Sequence, residues 1–169
     1  MIYNHRSNWD PMLLMSEFTD YDLNLITKPE NFKIPIMGPF IRKSGFIPIN
    51  RKDSREGLKA IIKGIDYIKN DQYSIVIAPE GTRNKTLEKP LLDFRPGSFK
   101  IAYKAEVPIV AVLVTNTEKI HKNFPLRRTK VKVEIMEVIP YEDYKDRTTV
   151  ELSKEIHEQM LEKLTKETN

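Results

Sequence analysis

A histidine and an aspartate five positions apart lie in the segment Asn-His-Arg-Ser-Asn-Trp-Asp, residues 4–10. A carboxylate bonded to one imidazole nitrogen fixes the tautomer and leaves the other nitrogen free to accept a proton, so His5 and Asp10 are candidates for general base catalysis. On one helix these side chains would lie about 140° apart, because each residue advances the helix by about 100°. They can meet only if His5 lies in a turn and Asp10 in the first turn of a helix begun by Pro11. The alternative is that Asp10 merely caps this helix and His5 is a surface residue.

A second candidate segment, residues 77–84, follows a buried apolar run and contains Pro-Glu-Gly-Thr-Arg. Gly81 lets backbone N–H groups approach a ligand, the Thr82 hydroxyl can donate, and the Arg83 guanidinium can bind a phosphate through two parallel hydrogen bonds. Glu80 could orient Arg83 or a neighbouring group. The alternative is an ordinary polar turn with a Glu–Arg pair. The segment is not a P-loop, because the Gly-Lys pattern is absent.

A third candidate is Arg51, which follows the short apolar run of residues 45–50. It could supply a second phosphate contact, or it could be an ordinary solvated arginine. The other histidines, His121 and His157, have no partners at ligand spacing, so the sequence predicts no metal site. The chain has no cysteine, which excludes disulfides, thiolate zinc sites and cysteine nucleophiles.

Strands alternate with helices along the chain, which predicts one α/β domain with a mostly parallel central sheet flanked by helices. The predicted strands are 22–27, 46–49, 73–78, 107–114 and 131–135, and the predicted helices are 53–69 and a closing helix marked by Leu152, Ile156, Met160 and Leu164. The first of these helices should bury a stripe of Leu58, Ile61, Ile62, Ile65 and Ile68. Because ligands bind beyond the carboxyl ends of parallel strands, we expect the chemistry in the loops after Ile49 and Ala78.

Taken together, the three segments resemble motifs of the glycerophospholipid acyltransferase family. His5 and Asp10 match its His-x4-Asp signature, and residues 79–83 match its third motif closely. Residues 45–51 and 107–110 resemble its second and fourth motifs, and the order and rough spacing agree. The similarity is greatest to the branch that acylates lysophosphatidate. The sequence departs from the common pattern at Ala78, where phenylalanine is frequent.

The resemblance implies an enzyme of phospholipid biosynthesis that moves a fatty acyl group from acyl-CoA or acyl carrier protein to the hydroxyl of lysophosphatidate, giving phosphatidate. His5 would be the base and Asp10 would orient it. The acceptor phosphate would contact Arg51, Glu80, Gly81, Thr82 and Arg83. No cofactor is expected. Alternatives are a sibling enzyme with another acceptor, such as glycerol-3-phosphate or another lysophospholipid, and a catalytically silent phospholipid-binding module.

A lipid acceptor implies that the protein binds peripherally to the cytoplasmic face of a membrane. The net charge of +4 fits an anionic partner, and nucleic acid is not expected because no nucleic-acid-binding motif is present. Basic residues flank the apolar segment 32–41, which could be either an interface or core, and the basic run 119–132 could meet phosphates or be a solvated hairpin. Because family members usually have a membrane-associated helical segment before the His-x4-Asp motif, we expect residues 1–169 to be the catalytic domain without that segment.

Overall fold

A mostly parallel sheet forms the centre of the molecule. The computed structural model describes residues 1–50, 53–86 and 88–168. Within these ranges the strands are β1 (Ile2–Tyr3), β2 (Leu23–Thr27), β3 (Ile47–Pro48), β4 (Ser74–Val76), β5 (Ile109–Thr115) and β6 (Lys132–Ile139). They form two three-stranded sheets with the orders β3-β2-β4 and β1-β5-β6, and a parallel bridge between Ile2 and Ile77 joins β1 to the end of β4. The neighbouring strands run parallel, except for β5 and β6. The predicted α/β fold is therefore confirmed.

Helices connect these strands. They are α1 (Asp10–Glu17), α2 (Met37–Lys43), α3 (Ser54–Lys69), α4 (Lys100–Ala105), α5 (Ile120–Asn123), α6 (Tyr141–Tyr144) and α7 (Thr149–Thr168), with 3-10 turns at Pro29–Lys33, Pro96–Phe99 and Thr117–Lys119. Among the helices of the described ranges, none is both long and apolar enough to cross a bilayer.

Helix α3 begins as predicted but turns a different face to the core. Asp53 caps it by accepting from the backbone N–H groups of the second and third residues that follow. Leu58 and Ile62 are exposed, whereas Ala60 is buried. A Cβ at Gly64 would lie 2.9 Å from Cδ1 of Ile101. The predicted stripe is thus partly wrong, because the close approach of α4 requires small residues where the helices meet.

Strand β1 was not apparent in the sequence, because two residues are too few to show a strand period. It lies between β4 and β5: the N–H of Tyr3 donates to the carbonyl of Ile77 at 3.2 Å, and Ile2 pairs with Ala111 of β5. Since β1 to β5 are parallel, the segments that follow them all leave the sheet at one side, which we call the carboxyl edge. Residues 4–9 therefore emerge near its middle.

The main core lies between β5 and α7. The four residues that marked the closing helix, Leu152, Ile156, Met160 and Leu164, are each no more than 1% exposed and pack with residues of β5. Their spacing of four places them on one face of the helix, which confirms that prediction.

We expect Leu152→Ala to lower the free energy of unfolding by about 2–5 kcal/mol, because it leaves a cavity in this core. Urea denaturation followed by circular dichroism measures the change. Val150→Ala is the matched control on the exposed side of the same helix and should change stability by no more than about 0.5 kcal/mol. Equal effects of the two substitutions would contradict this assignment of the core.

Candidate active site

His5 and Asp10 meet in the geometry that their spacing requires. His5 lies in the loop after β1, and Asp10 is the first residue of α1. Nδ1 of His5 is 2.9 Å from Oδ2 of Asp10. Because a carboxylate can only accept, this contact assigns the proton to Nδ1 and leaves Nε2 as the free nitrogen. The His5 side chain is 18% exposed, so the ring is held but still reaches the surface.

The Asp10 carboxylate organises the loop that precedes its helix. Its Oδ2 also accepts from the backbone N–H groups of Arg6 and Ser7, both at 2.7 Å, and its side chain is fully buried. The N-cap residue of α1 is Trp9, not Asp10. The alternative that Asp10 merely caps its helix does not describe this structure, because its carboxylate holds the turn that carries His5.

The loop after β4 makes two hydrogen bonds with the backbone of His5. Oε1 of Glu80 accepts from the His5 N–H at 2.5 Å, and the N–H of Asn84 donates to the His5 carbonyl at 2.8 Å. The loop that carries Gly81, Thr82 and Arg83 therefore lies against the loop that carries the imidazole. Two of the three candidate segments, the His5 loop and residues 77–84, are therefore in contact.

Glu80 differs from the substrate contact expected of it. It is only 3% exposed, and its second oxygen accepts from the N–H of Leu92 at 3.2 Å. Burial raises its pKa from 4.5 to about 7, against the opposing effect of the two backbone N–H donors. The buried carboxyl group thus holds the backbone of His5, and within the described residues it forms no ion pair with Arg83.

Gly81 is required where it lies. Its φ of 71° is a conformation that residues with a Cβ rarely adopt, and an added Cβ would lie 2.6 Å from Nε of Arg95. Thr82 is exposed and Arg83 is half-buried. Within the described ranges, the Arg83 guanidinium makes no ion pair with a carboxylate.

Three residues near this site did not stand out in the sequence. The amide of Asn4, fully buried, accepts from the Val114 N–H at 2.7 Å and donates to the Val114 carbonyl at 2.9 Å, so it continues the pairing of β1 with β5. Nε of Arg6 lies 3.2 Å from a carboxylate oxygen of Glu118, after β5. Arg95 places a guanidinium against the Gly81 loop. Each depends on a contact distant in sequence, so no local spacing could have identified it.

Arg51, the third candidate, lies outside the described residues. Pro108 immediately precedes β5 and is therefore at the opposite edge of the sheet from His5. This position fits the first residue of a strand.

Comparison with known proteins identifies acyltransferases as similar to this chain. A sequence profile described as Acyltransferase matches residues 1–115. The chain is similar to a 1-acyl-sn-glycerol-3-phosphate acyltransferase of Saccharomyces cerevisiae (29% identity, 97% of this chain, 54% of that protein). It is also similar to the protein of the same name from Escherichia coli (31% identity, 98% of this chain, 68% of that protein).

Among solved structures, the chain is similar to the 1-acyl-sn-glycerophosphate (LPA) acyltransferase PlsC from Thermotoga maritima. The TM-score is 0.77 at 26% identity, over 99% of this chain and 65% of that one. The chain thus spans about half to two thirds of the length of these relatives.

The raised pKa of Glu80 predicts a pH dependence of stability. Between the unfolded pKa of 4.5 and the folded pKa of about 7, the folded protein keeps a proton that the unfolded chain releases. The stability that this group contributes is complete below the unfolded value and is lost as the pH rises through the folded one. We therefore expect the wild-type free energy of unfolding, relative to that of Glu80→Gln, to fall between about pH 5 and about pH 7.5. Urea denaturation across this range measures it, and a constant or rising difference would show that the shift is absent.

Proposed function

This chain belongs to the acyltransferase family, and we propose that it transfers a fatty acyl group from a thioester to the free hydroxyl of lysophosphatidate, giving phosphatidate. The observation that carries the proposal is the 2.9 Å contact between Nδ1 of His5 and Oδ2 of Asp10. It leaves Nε2 free at the surface of the carboxyl edge, where a base can meet a hydroxyl. The names of the similar proteins support lysophosphatidate as the acceptor.

In the proposed reaction, Nε2 of His5 takes the proton of the acceptor hydroxyl as its oxygen attacks the thioester carbonyl. The tetrahedral intermediate then collapses, the C–S bond breaks, and the imidazolium returns the proton to the departing thiolate. The Asp10 carboxylate stabilises the imidazolium and keeps the ring in one orientation. No side chain of the protein needs to carry the acyl group.

Two guanidinium groups at the loop after β4 suit the phosphate of the acceptor. Arg83 follows the Gly81 turn, and Arg95 packs against it. A phosphate monoester carries nearly two negative charges, so two guanidinium groups balance it. We assign phosphate binding to Gly81, Thr82, Arg83 and Arg95, and we assign Glu80 to positioning His5. The acyl donor is acyl-CoA or acyl carrier protein.

We also propose that residues 1–169 act as one catalytic domain without a cofactor, at the cytoplasmic face of a membrane. The partly exposed ring of His5 at the carboxyl edge supports a site that meets its acceptor at a surface.

Removing the base or its carboxylate should abolish most turnover. We expect His5→Ala and Asp10→Asn to lower kcat by about 10²–10⁴-fold, because the proton is no longer accepted by an oriented imidazole. Release of thiol from the acyl donor, followed with a thiol reagent, measures the rate. His121→Ala removes another imidazole at the carboxyl edge and should leave the rate unchanged with a short-chain soluble acceptor. Full activity of His5→Ala would show that His5 is not the base, whereas lipid binding by the wild type without any release of thiol would favour a silent lipid-binding module.

Removing a phosphate contact should weaken binding of the acceptor rather than the chemical step. We expect Arg83→Ala to raise KM for the phosphorylated acceptor by about 10–100-fold with a smaller effect on kcat, because a charged hydrogen bond is lost. Lys85→Ala removes a charge two positions further along the same exposed loop and is the matched control. If both variants give the same KM, Arg83 does not bind the phosphate. A panel of lysophosphatidate, glycerol-3-phosphate and a lysophospholipid separates the possible acceptors.

A further inference from the structure

Two segments that leave the sheet at the carboxyl edge differ from the rest of the surface. They are residues 28–43, after β2, and residues 117–130, after β5, and we call them together the basic rim. In sheet order β2 and β5 lie on either side of β4 and β1, which carry the candidate active site. The two segments therefore leave the sheet on either side of His5.

The basic rim concentrates the positive charge of the chain. It contains nine lysine and arginine residues and two glutamates, a formal charge of +7, whereas the whole chain carries +4. The remaining residues therefore carry a net charge of −3. One of the two rim glutamates, Glu118, lies beside Arg6, which reduces its effect on an approaching anion. An anionic partner is therefore attracted to the basic rim more than to the rest of the molecule.

Large apolar side chains project from the basic rim. Ile36 is 91% exposed, Phe124 is 74% exposed and Leu126 is 92% exposed. Phe40 is also exposed, whereas Ile41 is buried, so the apolar segment 32–41 has both exposed and core residues. Ile36 has a φ of 66°, which β-branched residues rarely adopt. The basic rim thus exposes large apolar side chains to water among its lysine and arginine residues, and such patches mark interaction surfaces.

The basic rim is continuous with the loop that carries His5. The ring centroids of Trp9 and His121 are 6.3 Å apart, and Arg6 contacts Glu118. Arg6 and Trp9 of the His5 loop therefore contact the rim segment that contains Phe124 and Leu126. A partner that docks on this rim lies next to the loop that carries the imidazole.

We propose that the basic rim is the surface on which this protein docks to an anionic lipid bilayer. Phe124 and Leu126 on one side, and Ile36 and Phe40 on the other, enter the headgroup boundary, while the lysine and arginine side chains contact lipid phosphates. Cations adjoining exposed apolar tips suit a bilayer better than a folded protein, because a bilayer accepts both groups without a complementary shape. The inference rests on the proposed function in one respect: an enzyme that acylates a lipid needs its active site to face the bilayer.

Vesicle flotation with the purified chain tests the proposal. We expect binding to vesicles of phosphatidylcholine with about 30% phosphatidylglycerol, weaker binding to pure phosphatidylcholine, and loss at high salt. Arg127→Gln with Arg128→Gln should weaken binding about 30-fold, because each basic residue near such a surface contributes about fivefold. Phe124→Ser with Leu126→Ser should weaken it by about tenfold or more.

Matched controls lie at the opposite edge of the sheet. Val150→Ser removes an exposed apolar group, and Lys69→Gln with Lys154→Gln removes two exposed charges. These variants should bind as the wild type does. Equal losses in rim and control variants, or no binding of the wild type to anionic vesicles, would overturn the proposal.

The fluorescence of Trp9, the sole tryptophan, reports which face docks. Its emission should shift to shorter wavelength when anionic vesicles are added, because it lies beside the rim. Vesicle binding without this shift would place the contact on another face and also overturn the proposal. His5→Ala should bind vesicles like the wild type, so a failure of the proposed chemistry remains distinguishable from a failure of docking.

Discussion

The conformation of the site depends on one buried oxygen atom, Oδ2 of Asp10. It accepts from Nδ1 of His5 and from the backbone N–H groups of Arg6 and Ser7. Those backbone groups belong to a turn, where no neighbouring strand offers acceptors, and a charged acceptor gives them strong hydrogen bonds. Because the same atom accepts from the turn and from the ring, the turn that Asp10 holds also places the imidazole against its carboxylate. The candidate catalytic dyad is thus also the element that folds this loop.

The parallel sheet supplies the second constraint. By placing β1 beside β4 it brings Glu80 to the His5 N–H and Asn84 to the His5 carbonyl, and by placing β1 beside β5 it lets Asn4 pair with Val114. The loop after β1 is therefore attached to both neighbouring strands of the sheet. A side chain on such a loop has the positional accuracy of a regular element, which acid–base chemistry requires.

The sequence contained the parts of this arrangement that depend on local spacing. The separation of five positions from His5 to Asp10 excludes a shared face of one helix, and Pro11 indicates where the helix begins, so the turn geometry could be predicted. It did not contain the parts that depend on contacts between distant residues. The spacing of residues 79–83 does not reveal that the Glu80 carboxylate accepts from the backbone N–H groups of His5 and Leu92, because these contacts come from the packing of two loops. The buried face predicted for α3 was partly wrong for a related reason. Gly64 has no side chain and so lets α4 approach closely, and the spacing of apolar residues in the sequence does not reveal that approach.

Placing every loop of the parallel strands at one edge has a consequence for a lipid acceptor. The reacting hydroxyl of such a molecule lies at the level of the headgroups, between its phosphate and its acyl chain, so a base must approach it from the surface of the bilayer. A base, guanidinium groups and apolar tips at one edge of a sheet meet this requirement together, whereas an enclosed pocket would have to withdraw the lipid from the membrane. The net negative charge of the remaining residues acts in the same sense, because an anionic surface then favours only one orientation of the protein. The topology of the sheet and the distribution of charge thus lead to the same placement of His5.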